Sequence, residues 1–172
     1  PLLVSVRSGA PVSMPGMMDT ILNLGLNDET VEGLATQTGN PRFAYDAYRR
    51  FVKMFGDVVL GIHYALFNRA ETKFKKGKSD DELSIEELKG LIAIYKKVIR
   101  DEKFDIPDDP KAQLQLAIDA VFHSFNTRHA RHFRKTQGIS DDTGTAVNIQ
   151  AMVFGNMGEQ SATGVCFTRN PK

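Results

Sequence analysis

The chain has 172 residues, with 22 Lys plus Arg against 21 Asp plus Glu, 41% hydrophobic and 25% charged. This average globular mix at one domain's length excludes a disordered chain and gives no global pull toward nucleic acid or anionic lipid. No apolar run reaches the ~20 residues that span a bilayer, and the single cysteine, Cys166, excludes an intrachain disulfide and fits a reducing compartment.

The chain opens at Pro1 and runs at once into Leu2-Leu3-Val4-Ser5-Val6, a strand pattern with no signal peptide or lead-in. It ends just after another strand-like run, so it reads as a piece excised from something longer. Residues 1–26 are almost uncharged: Arg7 and Asp19 are their ionisable side chains. The strand delivers Arg7 and then breaks into a loop of small residues, with a helix expected to start near Gly16. A short helix is expected over Asp28–Thr38, stopped by Gly39.

Asn40-Pro41 places a cap before a proline at the first helical position, and Phe43, Ala47, Phe51, Met54, Phe55 and Val58 follow at helical spacing. A further helix covers about Tyr64–Phe74, stopped near Gly77. Ser84-Ile85-Glu86-Glu87 is a capping box for the stripe Leu88, Leu91, Ile92, Tyr95, Val98 and Ile99. Asp109-Pro110 repeats the cap-plus-proline signal, and a last helix spans Thr127–Thr136, ended by Gly138. Over Thr145–Val153 residues alternate between a polar-lined face (Asn148, Gln150, with Met152) and an apolar face (Val147, Ile149, Ala151, Val153). With a turn at Gly155-Asn156-Met157-Gly158 and a strand at Gly164–Thr168, this predicts an antiparallel hairpin. The fold class expected is α+β, in three zones: a strand and loop segment (1–26), a helical subdomain (27–137) and a β-hairpin segment (138–172).

Four groups of residues bear on chemistry. Arg7 supplies a permanently charged, planar fork suited to phosphate oxygens, and the loop Ser13-Met14-Pro15-Gly16-Met17-Met18 brings small residues and hydroxyls near it. It is not a Walker A loop, since no Gly-Lys-Ser/Thr comes after it. The alternative is an arginine paired with a carboxylate beside an ordinary glycine turn. Met14, Met17 and Met18 suit a shape-tolerant apolar pocket or a core contact. Asn148, Gln150 and Met152, with Thr168 and Arg169 further on, form a face that could read a purine edge or simply meet solvent. Arg128, His129, Arg131, His132, Arg134 and Lys135 resemble a nucleic-acid or phosphate patch, but with Phe133 alone interleaved they read better as a solvated basic helix face, and His129 with His132 lacks a Cys or carboxylate at ligand spacing, so no metal is expected there.

The motifs Ser5-Val6-Arg7-Ser8-Gly9-Ala10 and Ser13-Met14-Pro15-Gly16-Met17-Met18-Asp19-Thr20-Ile21-Leu22-Asn23-Leu24-Gly25 resemble those of the pyruvate, phosphate dikinases. So do Pro41-Arg42-Phe43-Ala44-Tyr45-Asp46, Gly144-Thr145-Ala146-Val147-Asn148-Ile149-Gln150, Met152-Val153-Phe154-Gly155-Asn156 and Phe167-Thr168-Arg169-Asn170-Pro171. The resemblance runs in order along the whole chain. Phosphoenolpyruvate synthases share the Arg-Ser strand but resemble the chain much less beyond it. Pro11 departs from the family pattern and stiffens the loop.

The resemblance implies part of an ATP-grasp nucleotide-binding domain, mainly a helical subdomain flanked by an incomplete antiparallel sheet. It implies ATP as ligand and Mg²⁺ as cofactor, with the magnesium ligands outside this chain. The family phosphorylates a histidine on a separate domain, and a third domain passes the phosphoryl group to pyruvate. The full-length protein would be a homodimer, cytoplasmic or in an organelle, with no nucleic-acid or membrane partner. By the same resemblance Arg7 contacts the ATP phosphates. Ser13, Met14, Gly16, Met17 and Met18 cover them, Gln150, Met152 and Val153 line the adenine site, and Thr168 faces the same cleft. The family's ATP-contacting lysine would lie upstream of Pro1, its metal carboxylates and a catalytic glutamine downstream of Lys172, and no histidine here has the phosphohistidine context. A non-catalytic helical interaction module is the other reading of residues 27–137.

Overall fold

In a computed structural model that describes residues 1–166, 168 and 169, the strand β1 (Val4–Ser8) is the middle of a three-stranded antiparallel sheet. Its neighbours are β2 (Thr20–Leu24) and β3 (Val147–Ala151), so the order is β2-β1-β3. Strand side chains alternate between faces. Val6, opposite Ile21 and Ile149, points to one face, and Arg7, opposite Thr20 and Asn148, points to the other. Val6 and Ile21 are fully buried where helix α5 packs on β1 and β2.

Six α-helices match the punctuation of the sequence: α1 (Thr30–Thr38), α2 (Pro41–Met54), α3 (Tyr64–Lys75), α4 (Ile85–Asp101), α5 (Pro110–Ser124) and α6 (Arg128–Gln137). The Asn40 side chain accepts from the Phe43 N–H, Asp109 from Lys111 and Ala112, and Thr127 from Ala130. Ser84 and Glu87 cap each other reciprocally. One core runs from the sheet into the helices, joining Leu3, Val6 and Ile21 to Phe51, Phe55, Leu91, Tyr95 and Val121.

The structure corrects three expectations. First, no helix starts near Gly16. Gly16 sits in a turn at φ 71°, where the Met17 N–H reaches the Met14 carbonyl (3.1 Å), and the chain then enters β2. Burying Ile21 and Leu24 beside β1 outweighs the local helical pattern. Second, β3 is not half of a hairpin: its partner is β1, residues 164–166 form no strand, and Phe167 lies outside the described residues. Its apolar side is largely uncovered, with Ile149 47% and Val153 92% exposed. Third, the helical stripe ending at Val58 changes winding: Phe55–Val59 is a π-helical turn.

That looser turn brings the Gly56 backbone against the buried Phe67 ring. A β-carbon on Gly56 would lie 2.4 Å from that ring and 3.2 Å from Ile99. Overpacking of this kind costs about 1–3 kcal/mol. Gly56→Ala is therefore expected to lower the urea midpoint by that equivalent, and an unchanged midpoint would show that Phe67 has room to retreat.

Buried charge ties α2, α3 and the Asp80–Glu82 turn together. Arg49 donates to Asp46 (2.7 and 3.0 Å) and to Asp80 (3.0 Å), and Lys75 bridges Asp80 and Glu71. Glu71 also accepts from Lys53 (2.5 Å) and from the Tyr95 hydroxyl (2.8 Å). Burial opposes ionisation of Glu71, but the hydrogen bonds from Lys53, Tyr95 and Lys75 outweigh it and hold the carboxyl below its ordinary range. At Asp80 burial is likewise outweighed by Lys75 and Arg49. A lowered folded pKa means stability that is present at neutral pH and lost as pH falls through the folded value. Urea unfolding monitored by circular dichroism should show the midpoint falling from pH 7 to about pH 3. Glu71→Gln should shrink that fall; an equal fall in the variant would remove Glu71 as a contributor.

The basic helix face is also revised. Arg134 is 1% exposed: it stacks on the Phe125 ring (3.8 Å), donates to the Phe125 carbonyl (2.5 Å) and pairs with Asp141 (2.6 Å). Arg128, His129, Arg131, His132 and Lys135 are exposed.

Candidate functional site

β1 carries Arg7 onto the sheet face opposite the core, between Thr20 on β2 and Asn148 on β3. Directly opposed side chains on neighbouring strands lie ~5 Å apart at Cβ, so these three form one row, with Ser5 and Gln150 opposite each other one step along. Gly9 ends the strand: its N–H reaches the Ala146 carbonyl (2.7 Å), and a β-carbon there would meet the Asn148 amide at 2.8 Å. The glycine thus lets Asn148 lie across the strand end.

The loop between β1 and β2 folds over this row and leaves a cleft of about 550 Å³. Arg7, Ser8, Thr20, Asn148 and Gln150 line it from the sheet, and Ala10 to Gly16 together with Met18 from the loop. Met14 is buried and Met18 half-buried, which gives the cleft an apolar wall. Two prolines, Pro11 and Pro15, limit the conformations open to that loop.

Among the described residues Arg7 makes no ion pair and no side-chain hydrogen bond, and no carboxylate lines the cleft. The reading of Arg7 as half of a salt bridge therefore falls. An unpaired guanidinium among hydroxyls and amides, with no anion of its own, suits an anionic ligand with several acceptor oxygens. The helix N-terminus expected beside the loop is absent, so the donors are the guanidinium, the Ser13 and Thr20 hydroxyls, side-chain amides and loop N–H groups.

Of the residues singled out in sequence, Arg7, Ser13, Met14, Gly16, Met18, Asn148 and Gln150 line this one cleft. Met17, Met152, Val153 and Thr168 do not. Met17 makes the turn with Met14; Met152 packs on the core and its N–H reaches the Leu3 carbonyl (2.8 Å); Val153 and Thr168 are exposed. Thr20 was missed, because the expected helix hid it. Its signal was the β-rich run Thr20-Ile21-Leu22.

Asp19, between the lining residues Met18 and Thr20, donates its N–H to the Ser124 hydroxyl (3.2 Å). Burial, and then the charge of Asp57, push its carboxyl above the ordinary range. Mg²⁺ does not fit the residues present: the cleft has no carboxylate, and no cluster of three or more His, Cys, Asp or Glu capable of holding a metal occurs among the described residues.

Fold and cleft together define an α+β domain that carries, on the open face of its sheet, a guanidinium unpaired among the described residues. Over residues 1–172 the chain matches the family described as "Pyruvate phosphate dikinase, AMP/ATP-binding domain", and it belongs to that family. It is 57% identical over 99% of its length to pyruvate, phosphate dikinase 1, chloroplastic, of Arabidopsis thaliana, covering 18% of that protein. It is 55% identical over 100% to pyruvate, phosphate dikinase of Giardia intestinalis, and 54% over 99% to that of Clostridium symbiosum, covering 20% of each. The chain thus spans about a fifth of the length of the curated relatives it matches. No helix among the described residues is long and apolar enough to cross a membrane.

Proposed function

We propose that this chain is the nucleotide-contacting part of a pyruvate, phosphate dikinase, with ATP phosphates in the cleft. The overall reaction is then ATP plus phosphate plus pyruvate to AMP, pyrophosphate and phosphoenolpyruvate, through a histidine on another domain. The observation that carries the reading is Arg7, an unpaired guanidinium in a cleft without carboxylates. Its fixed charge would offset the charge on the transferring phosphates. Ser13, Gly16 and Met18 would cover the phosphates. Gln150, on the sheet wall, would present its amide to the base. Met17, Met152, Val153 and Thr168 remain candidates through a loop or strand movement on binding. The zones 1–26 and 138–172 supply the site, and 27–137 the helical body.

Mg²⁺ belongs to the proposed reaction but finds no carboxylate ligand in this cleft, so no step is routed through it. The proposed partners are the phosphohistidine and pyruvate domains of a longer chain, as a homodimer, in the cytoplasm or, as the chloroplastic plant relatives suggest, in an organelle. Calorimetry with ATP on the 172-residue chain tests the reading: weak saturable binding supports it, and no heat at millimolar ATP sinks it. The chain alone is expected to be inactive, since metal-assisted phosphoryl transfer needs a set of metal ligands, and no such cluster occurs among the described residues. Phosphoenolpyruvate formation by the chain in a coupled assay would overturn that expectation.

A further inference from the structure

Two hydrogen bonds fasten the ends of the loop between β1 and β2 to other parts of the molecule. At the near end the Gly9 N–H reaches the Ala146 carbonyl (2.7 Å). At the far end the Asp19 N–H reaches the Ser124 hydroxyl (3.2 Å), from 105 positions away in sequence. Between them the loop bonds to itself, through the Met17 N–H and the Met14 carbonyl (3.1 Å). The neighbours of Asp19 on both sides, Met18 and Thr20, line the cleft, and Thr20 stands opposite Arg7. The far anchor therefore sets the point from which both reach into the site.

Ser124 ends α5 and is 2% exposed. A hydroxyl has one proton to give and lone pairs with which to accept. The Ser124 proton goes to the Val121 carbonyl (2.7 Å), which leaves the oxygen to accept from Asp19. The backbone around it is braced from the next helix. The Thr127 hydroxyl donates to the Ser124 carbonyl (3.0 Å) while it caps α6, and Arg134 donates to the Phe125 carbonyl while it stacks on the Phe125 ring. On its other side α5 packs on β1 and β2. We propose that Ser124 is a positioning residue for the cleft. It does not line the site; through the Asp19 N–H it holds Met18 and Thr20 in place beside Arg7. This inference rests on the nucleotide reading of the cleft, with ATP as the ligand that tests it.

Ser124→Ala removes the acceptor. The conservative variant Ser124→Thr keeps it, because a helical threonine hydroxyl can still bond the carbonyl three residues back. Its added methyl enters a filled site, so Ser124→Thr should melt below the wild type. Calorimetry with ATP on the 172-residue chain then separates positioning from stability. Ser124→Ala should bind about two- to tenfold more weakly, the worth of one hydrogen bond, whereas Ser124→Thr should bind as the wild type does despite its lower melting temperature. A measurement on the wild type alone guards against loss of folding in the variants. By hydrogen exchange its Asp19 amide should be at least about tenfold slower than the amides of Val12 and Ser13 in the middle of the loop. Undiminished binding in Ser124→Ala overturns the proposal. So does affinity that falls in both variants in step with melting temperature, or an Asp19 amide that exchanges as fast as Val12 and Ser13. A wild-type chain whose Asp19 amide is protected but which binds no ATP overturns the nucleotide reading, and the positioning role falls with it.

Discussion

Arg7→Ala should weaken ATP binding by about ten- to a hundredfold while the chain stays folded. That range corresponds to the ~1.5–3 kcal/mol that a hydrogen bond to a charged group contributes. The side chain is exposed and has no partner among the described residues, so its removal breaks nothing in the fold. The change in strand preference on β1 is worth less than about 1 kcal/mol. Arg7→Lys keeps the charge but loses the planar fork and should bind between the two. Calorimetry on the chain and both variants, with melting curves as the control for folding, decides the matter. Equal affinity in Arg7→Ala would remove Arg7 from the site.

The largest expected loss of stability lies at Gln113, a fully buried polar residue on α5. Its Oε1 accepts from the Gly25 N–H (3.0 Å), and its Nε2 donates to the carbonyls of Leu26 (3.1 Å) and Pro107 (2.8 Å). Gly25 stands at φ 107°, in the turn that leads from β2 toward α1. One side chain thus fastens α5 to the end of β2, and through β2 it steadies the strand that carries Arg7. In Gln113→Ala these three backbone groups lose their partners together. A buried unsatisfied group costs about 1–3 kcal/mol, and neighbouring losses are not additive. A total near 3 kcal/mol is expected, or a fall in melting temperature of about 6–12 °C for a domain of this size. A fall under about 2 °C would mean that water replaces the amide at little cost.

The helices were readable because their signals are local. Asn40-Pro41, Ser84 with Glu87, and Asp109-Pro110 each announce an N-terminus within four residues, and each caps the helix it announces. The sheet was only half readable. β1 and β3 were visible as strands, but the pairing of Arg7 with Asn148 and Thr20 depends on what the folded helices bring together. Thr20–Leu24 was misread because five residues hold too little periodicity to separate strand from helix, and burial beside Val6 settles it as a strand. Arg134 and Gln113 were invisible for a related reason. In sequence each is one more polar residue on a helix, and only the neighbours that surround it turn it inward. The candidate cleft was legible in its Arg7 and loop components, which are close in sequence, and in Gln150. The four residues that stand outside it were assigned by resemblance or by simple alternation, whereas Met17 closes the loop turn, Met152 packs on the core, and Val153 and Thr168 are exposed.

The strand order β2-β1-β3 has a consequence for how the cleft comes into being. Ser5 and Gln150 sit side by side although 145 positions separate them in the chain. Closing a loop of that length costs on the order of 4 kcal/mol in chain entropy before the strands gain anything from pairing. On a ribosome β1 and β2 emerge before α1–α6, and the Asn148–Gln150 wall arrives after them. Arg7 therefore waits, beside β2, on half a sheet while the helices are made. The cleft thus forms after the helices between its two walls, and it exists only once two segments far apart in the chain have met.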